Sequence, residues 1–148
     1  KVHISPEYKV TRIRPDIAPE YLAAPSILID TGSDRLFDMS YTLSADAYIG
    51  DVSSQVYEFL YRPRACFFID VHSGQAGEPA YDFWNNGPVV NTAAELAPML
   101  SQYEAIAARY RDAQEQRMAY TADRSDPRPA SGRGAAALIA YLRPDRGS

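Results

Sequence analysis

Five short apolar runs punctuate the chain, and between them apolar residues recur every three or four positions. The runs are KVHI (1–4), SILID (26–30), AYIG (47–50), CFFID (66–70) and PVVN (88–91). The middle three are continuous rather than alternating, the pattern of strands buried on both faces of a parallel sheet. In SDRLFDMSYTLS, Leu36, Met39 and Leu43 share one helical face and Ser33 is placed to cap its start. In SSQVYEFLY, Val56, Phe59 and Leu60 form a short stripe. The run TAAELAPMLSQYEAIAARYRDAQEQ opens with Thr92 and Glu95 at capping-box spacing, and Pro98 inside it marks a kink or a second start. Residues 120–131 are polar and proline-containing, a loop, and RGAAALIAYLR (133–143) reads as a terminal helix whose small residues suit close packing on the sheet. Strand and helix signals thus alternate. They predict an α/β fold: a Rossmann-like parallel sheet with helices on both faces. Residues 71–87 make a long connection, a kind that often carries function in such folds.

Composition narrows the choices. At 148 residues and 46% apolar, the chain is expected to form one domain (1–148) with a substantial core. A net charge of −4 and scattered arginines argue against nucleic acid as a partner. No apolar run approaches the roughly 20 residues of a transmembrane helix. No signal-peptide pattern opens the chain, so a cytoplasmic location is expected. The one cysteine, Cys66, lies in an apolar run and reads as a buried thiol of a reducing compartment. Without a Cys/His cluster or an Asp-x-Asp pair, neither a metal nor another cofactor is expected. The opening at Lys1, in mid-pattern, suggests a piece of a longer protein.

The densest chemistry lies where AYIG gives way to Gly50, Asp51, Val52, Ser53 and Ser54 and then to a helix-like run. In open parallel sheets, ligands bind beyond the carboxyl ends of the strands. A helix starting near Ser53 would leave backbone N–H groups unpaired and a partial positive charge behind them. A phosphate there would gain those N–H groups and two serine hydroxyls, and Gly50 would let it come close. The same residues also suit a plain helix cap, with Asp51 or Ser53 as the capping side chain. The spacing is neither the GxxxxGK[ST] loop nor the GxGxxG fingerprint. Residues alone leave the phosphate site and the cap open.

The segment SADAYIGDVSSQVYEFLYRPRACFFID resembles a stretch of the CDP-glycerol glycerophosphotransferase family, the teichoic-acid polymerases and their relatives. The shared positions are Ala45-Asp46, Asp51, Ser53, Ser54, Glu58 and Pro63. DFWNNGPVVNTAAEL resembles a downstream stretch of that family, and KVHIS a strand end that places His3 at a family histidine. Gly50 stands where the family has threonine, and Ile4 where it has proline. The resemblance implies the C-terminal, donor-binding half of a GT-B transferase. Its partners would be a nucleotide-diphospho donor, a polymer or lipid-linked acceptor, and an N-terminal GT-B domain. The full protein would work at the inner face of the plasma membrane.

By that resemblance, Ser53 and Ser54 contact the diphosphate and Asp51 orients the turn or a hydroxyl. Glu58, one helical turn beyond Ser54, accepts hydrogen bonds from ribose or glycerol. His3 is the catalytic residue and donates to a phosphate oxygen of the leaving group. The base acting on the acceptor would lie in the other half. His72, in DVHSG at the start of the long connection, is a further substrate-binding candidate. Tyr81 and Trp84 are placed either to stack on a base or to pack back on the domain, and Arg62 and Arg64 either to meet phosphate or to face solvent. Two alternatives accompany this expectation: a UDP-sugar glycosyltransferase or 2-epimerase-like GT-B domain, and a non-catalytic α/β interaction module.

Overall fold

The computed structural model describes residues 16–51, 53–71, 79–123 and 125–142. Three strands, β1 (Ala47–Gly50), β2 (Ala65–Ile69) and β3 (Val89–Val90), lie in that order in one parallel sheet. Ala47 pairs with Ala65 and Gly50 with Phe68, while Phe68 pairs with Val89 and Ile69 with Val90. The helices are α1 (Pro19–Ala23), α2 (Ser40–Ser44), α3 (Gln55–Phe59), α4 (Ala93–Leu100), α5 (Tyr103–Thr121) and α6 (Ala130–Leu142). Two 3-10 segments, Asp34–Leu36 and Pro79–Asn86, complete the described elements. The chain is thus α/β with a small open parallel sheet, as its apolar pattern predicts.

β2 is the centre of the core, because its neighbours β1 and β3 leave it no free edge and its side chains alternate between two clusters. Cys66 and Phe68 meet Val56, Phe59 and Leu60 around α3, Phe83 and Trp84 of the second 3-10 segment, and Met118 of α5. Ala65 and Phe67 meet Val90 and Leu96, flanked by Met99, Ile106 and Ala107. Helices therefore cover both faces, and α5 contributes to both clusters. Phe67 and Phe68 are fully buried, each favouring the folded state by about 2 kcal/mol through lost apolar exposure.

The amino end of the sheet is closed by polar side chains. The Arg64 guanidinium donates to the carbonyls of Thr42, Ala45 and Phe59 and lies 3.8 Å from the centroid of the Phe59 ring. Arg62 donates to Leu43 O. Gln114, fully buried on α5, accepts from Arg64 N–H at 3.0 Å and donates to Arg64 O and Asn86 O, both at 2.8 Å. One amide on α5 thus joins the start of β2, fifty residues earlier, to Asn86 ahead of β3, 28 residues earlier. Gly87 is required where those strands converge: a Cβ there would lie 2.1 Å from the Cys66 carbonyl oxygen.

Several expected elements differ. The run 26–30 forms no strand; Ile27 and Leu28 are exposed, and Asp30 organises a turn instead. Its carboxylate accepts from Gly32 N–H, Ser33 N–H, Ser33 Oγ–H and Tyr41 Oη–H. These bonds, led by that from the Ser33 hydroxyl, hold the carboxyl far below the usual carboxylate range. Ser33 is thereby engaged and makes no side-chain cap. The single helix expected over 33–44 is broken at Met39, whose φ of 63° is left-handed, with Asp38 accepting from Ser40 N–H at 2.9 Å. Leu36, Met39 and Leu43 consequently share no helical face.

The strands expected over 66–70 and 88–91 are found at Ala65–Ile69 and Val89–Val90. The expected cap forms in a shifted version: Thr92 Oγ1 accepts from Glu95 N–H at 3.3 Å, while Glu95 reaches one residue past the N-cap to accept from Asn91 N–H at 3.0 Å. α4 ends two residues after Pro98, and α5 is the second start. The terminal helix forms but buries no residue, leaving Leu138, Ile139, Tyr141 and Leu142 exposed; it does not pack on the sheet. The run expected as a first strand (1–4) lies outside the described residues. No helix among the described residues is long and apolar enough to cross a membrane.

Candidate functional site

β1 ends at Gly50, and the chain turns through Asp51, Ser53 and Ser54 into α3. Tyr48, two residues before Gly50, lies on the same side of the strand and leans along it. A Cβ at Gly50 would lie 2.3 Å from Tyr48 Oη, so the missing side chain makes room for that phenol. Burial pushes the Tyr48 phenol pKa up. The glycine thus has a role inside the fold, between a tyrosine and the turn it supports.

The helix start differs from the expected open nest of N–H groups. Ser53 Oγ accepts from Gln55 N–H at 3.3 Å, Ser53 O from Val56 N–H at 3.3 Å, and Ser54 O from Tyr57 N–H at 3.1 Å. These bonds engage the N–H groups of Gln55, Val56 and Tyr57 within the turn. With only five residues, α3 also adds a smaller dipole than a long helix. What remains for a ligand is the pair of serine hydroxyls, and the two serines are unequal. Ser53 is half-buried and closes the turn; Ser54 is exposed at the N-cap position, with helical φ and ψ (−63° and −11°) and no side-chain capping bond. Those angles make Ser54 in effect the first helical residue, and Ser53, whose Oγ accepts from Gln55 N–H, is the side chain that caps the helix, as the cap reading of the turn expects.

The turn is tied from outside by the second 3-10 segment. Trp84 Nε1–H donates to Asp51 O at 3.0 Å. Trp84 is 4% exposed, lying 4.4 Å from the Tyr81 ring and 6.3 Å from the Phe83 ring, centroid to centroid. Of the two roles open to Tyr81 and Trp84, the structure shows packing back on the domain. The segment is itself anchored to α5, because Asp82 forms an ion pair with Arg117 and Asn86 O accepts from Gln114. The hydrogen bond from Arg117 holds the Asp82 carboxyl below the usual range.

Asp51, Ser53 and Ser54 are therefore gathered on one turn at the carboxyl end of β1, with Glu58 half-buried on the helix that follows. His3 and His72 lie outside the described residues. Arg62 and Arg64 serve the opposite end of the sheet and bind main-chain carbonyls. Among the described residues no group of three or more His, Cys, Asp or Glu side chains is placed to hold a metal. Sequence reasoning missed Tyr48 and Trp84 as supports of the turn. The signal for Tyr48 was its spacing of two from Gly50 in a strand; for Trp84, its being the one tryptophan of the chain. Searches of protein families, curated proteins and solved structures found no match to this chain.

Proposed function

We propose that the chain binds a nucleotide-diphospho donor at the turn after β1. It would serve as the donor-binding part of a transferase that passes a glycerophosphate or glycosyl group to a hydroxyl of a cell-envelope or capsular polymer. The observation that carries this reading is Ser54. Its hydroxyl is exposed at the carboxyl end of a parallel strand and is not spent on capping the helix it begins. The resemblance of residues 45–70 to the glycerophosphotransferases points the same way, and with it to a Rossmann-like half of a GT-B enzyme acting at the cytoplasmic face of the membrane.

In this reading the Ser54 hydroxyl donates to a diphosphate oxygen, while Ser53 and Asp51 hold the turn and Glu58 accepts from a polyol or ribose hydroxyl. For glycerophosphate transfer, the acceptor oxygen bonds to the phosphorus bearing glycerol. The bond from that phosphorus to the bridging oxygen breaks, and the nucleoside monophosphate leaves. For glycosyl transfer, the acceptor oxygen bonds to the anomeric carbon and the nucleoside diphosphate leaves. In both, negative charge grows on the departing phosphate, where donated hydrogen bonds lower the barrier. His3 would supply one such bond.

Calorimetric titration with CDP, UDP and CDP-glycerol tests the reading. Saturable binding that prefers cytidine supports polyol-phosphate transfer, and a uridine preference moves the assignment to sugar transfer. A folded chain that binds none of the three contradicts the proposal. A second reading, an interaction module without catalysis, is favoured by one observation: α6 leaves its leucine, isoleucine and tyrosine side chains uncovered. It predicts that no nucleotide binds.

A further inference from the structure

We infer that Trp84 is a positioning residue for the donor site: its indole N–H, held by the anchored 3-10 segment, sets where the Asp51 backbone and hence the serine hydroxyls stand. The inference rests on the reading of that turn as the nucleotide site. At 4% exposure the indole ring offers no face for a base, so its polar atom is what it contributes to the site. That atom reaches across 33 residues of sequence to Asp51 O.

The geometry gives this bond a lever. The segment carrying Trp84 is pinned to α5 by the Asp82–Arg117 ion pair and by Gln114 bonding to Asn86. The turn is therefore referenced to a nineteen-residue helix as well as to the strand it leaves. On the strand side, the Tyr48 phenol fills the space beside Gly50, just before the turn. The start of α3 has already used the N–H groups of Gln55, Val56 and Tyr57. Recognition then depends on where the hydroxyls stand, and a small displacement of the turn costs binding directly.

Trp84→Phe deletes the N–H while keeping an aromatic ring, and Met118→Ala weakens the same core cluster without touching the turn. CDP affinity is measured by calorimetry on both variants and the unaltered chain, alongside urea unfolding. The expected result is a CDP affinity about tenfold weaker for Trp84→Phe, as loss of one well-placed hydrogen bond gives. Met118→Ala should lower the unfolding midpoint yet bind CDP as the unaltered chain does. Trp84 is the only tryptophan, so CDP should also shift the intrinsic emission of the unaltered chain, and the shift should vanish in Ser54→Ala. Unchanged affinity in Trp84→Phe, or equal losses in both variants, overturns the positioning role while leaving the donor site standing. Absence of CDP binding by the unaltered chain overturns the donor site, and the positioning role with it.

Discussion

The two ends of the sheet are built differently. At the amino end, Arg62, Arg64 and Gln114 turn inward onto main-chain carbonyls and an amide, and the burial of Arg64 lowers its proton affinity without discharging it. At the carboxyl end of β1, the turn is held by one indole and one serine, the Tyr48 phenol lies beside Gly50, and the next serine is exposed. Long side chains with several donors close the end where the strands start. Short hydroxyls are left where they finish. Parallel sheets place ligands at the finishing end, and here the structural polar work has been drawn away from it.

The largest expected effect lies at the closed end. Gly87→Ala forces a Cβ against the Cys66 carbonyl, a backbone contact that cannot rotate away. It should destabilise the chain by about 4 kcal/mol or more, read as loss of the cooperative urea transition. Gln114→Leu keeps the volume but strips partners from Arg64 N–H, Arg64 O and Asn86 O. A loss of about 3 kcal/mol is expected from the same measurement. A loss under about 0.5 kcal/mol would mean that water replaces the amide and that the end is not sealed.

Cys66 sharpens the comparison through pH. Burial pushes its thiol up to about 12, against an ordinary value of about 8.5. A raised folded-state pKa means that the folded chain keeps its proton longer than the unfolded one. The stability this contributes is fully present below about pH 8.5 and is lost as pH rises toward 12. Cys66→Ala should therefore flatten the fall in stability across that window, with the remaining slope carried by groups such as Tyr48, whose pKa is also raised. Equal slopes for both chains would contradict the burial of the thiol. At the open end, Ser54→Ala should change stability by less than about 0.5 kcal/mol, since no capping bond is lost.

The sequence announced the centre of the sheet plainly. A continuous apolar run such as ACFFI has few homes other than a strand covered on both sides, and the Thr92–Glu95 spacing declares a helix start through a local mechanism. SILID carries the same apolar signal, yet Asp30 is bound into a local turn with Gly32 and Ser33, and its further contact with Tyr41 spans eleven residues and leaves no periodic trace. The terminal run correctly reads as a helix, but its small residues wrongly suggested packing on the sheet, because helix propensity is local and packing is not. In the candidate site, the turn that carries Asp51, Ser53 and Ser54 after β1 was legible from its Gly-Asp-Ser pattern. The unequal roles of the two serines depend on backbone angles, and the grip of Trp84 on Asp51 depends on tertiary placement. Gln114 has no sequence signature, since a glutamine in a polar helix reads as solvated.

If the carboxyl end of β1 presents Ser54 to a diphosphate, removing that hydroxyl weakens nucleotide binding. The most direct test is calorimetric titration of CDP into the unaltered chain and into Ser54→Ala, with urea unfolding run on both. Equal stability is expected, with an affinity at least about tenfold weaker in the variant, as removal of one donor to a charged oxygen entails. Equal CDP affinity in the two chains would contradict it, and would leave the turn as a support for α3 alone.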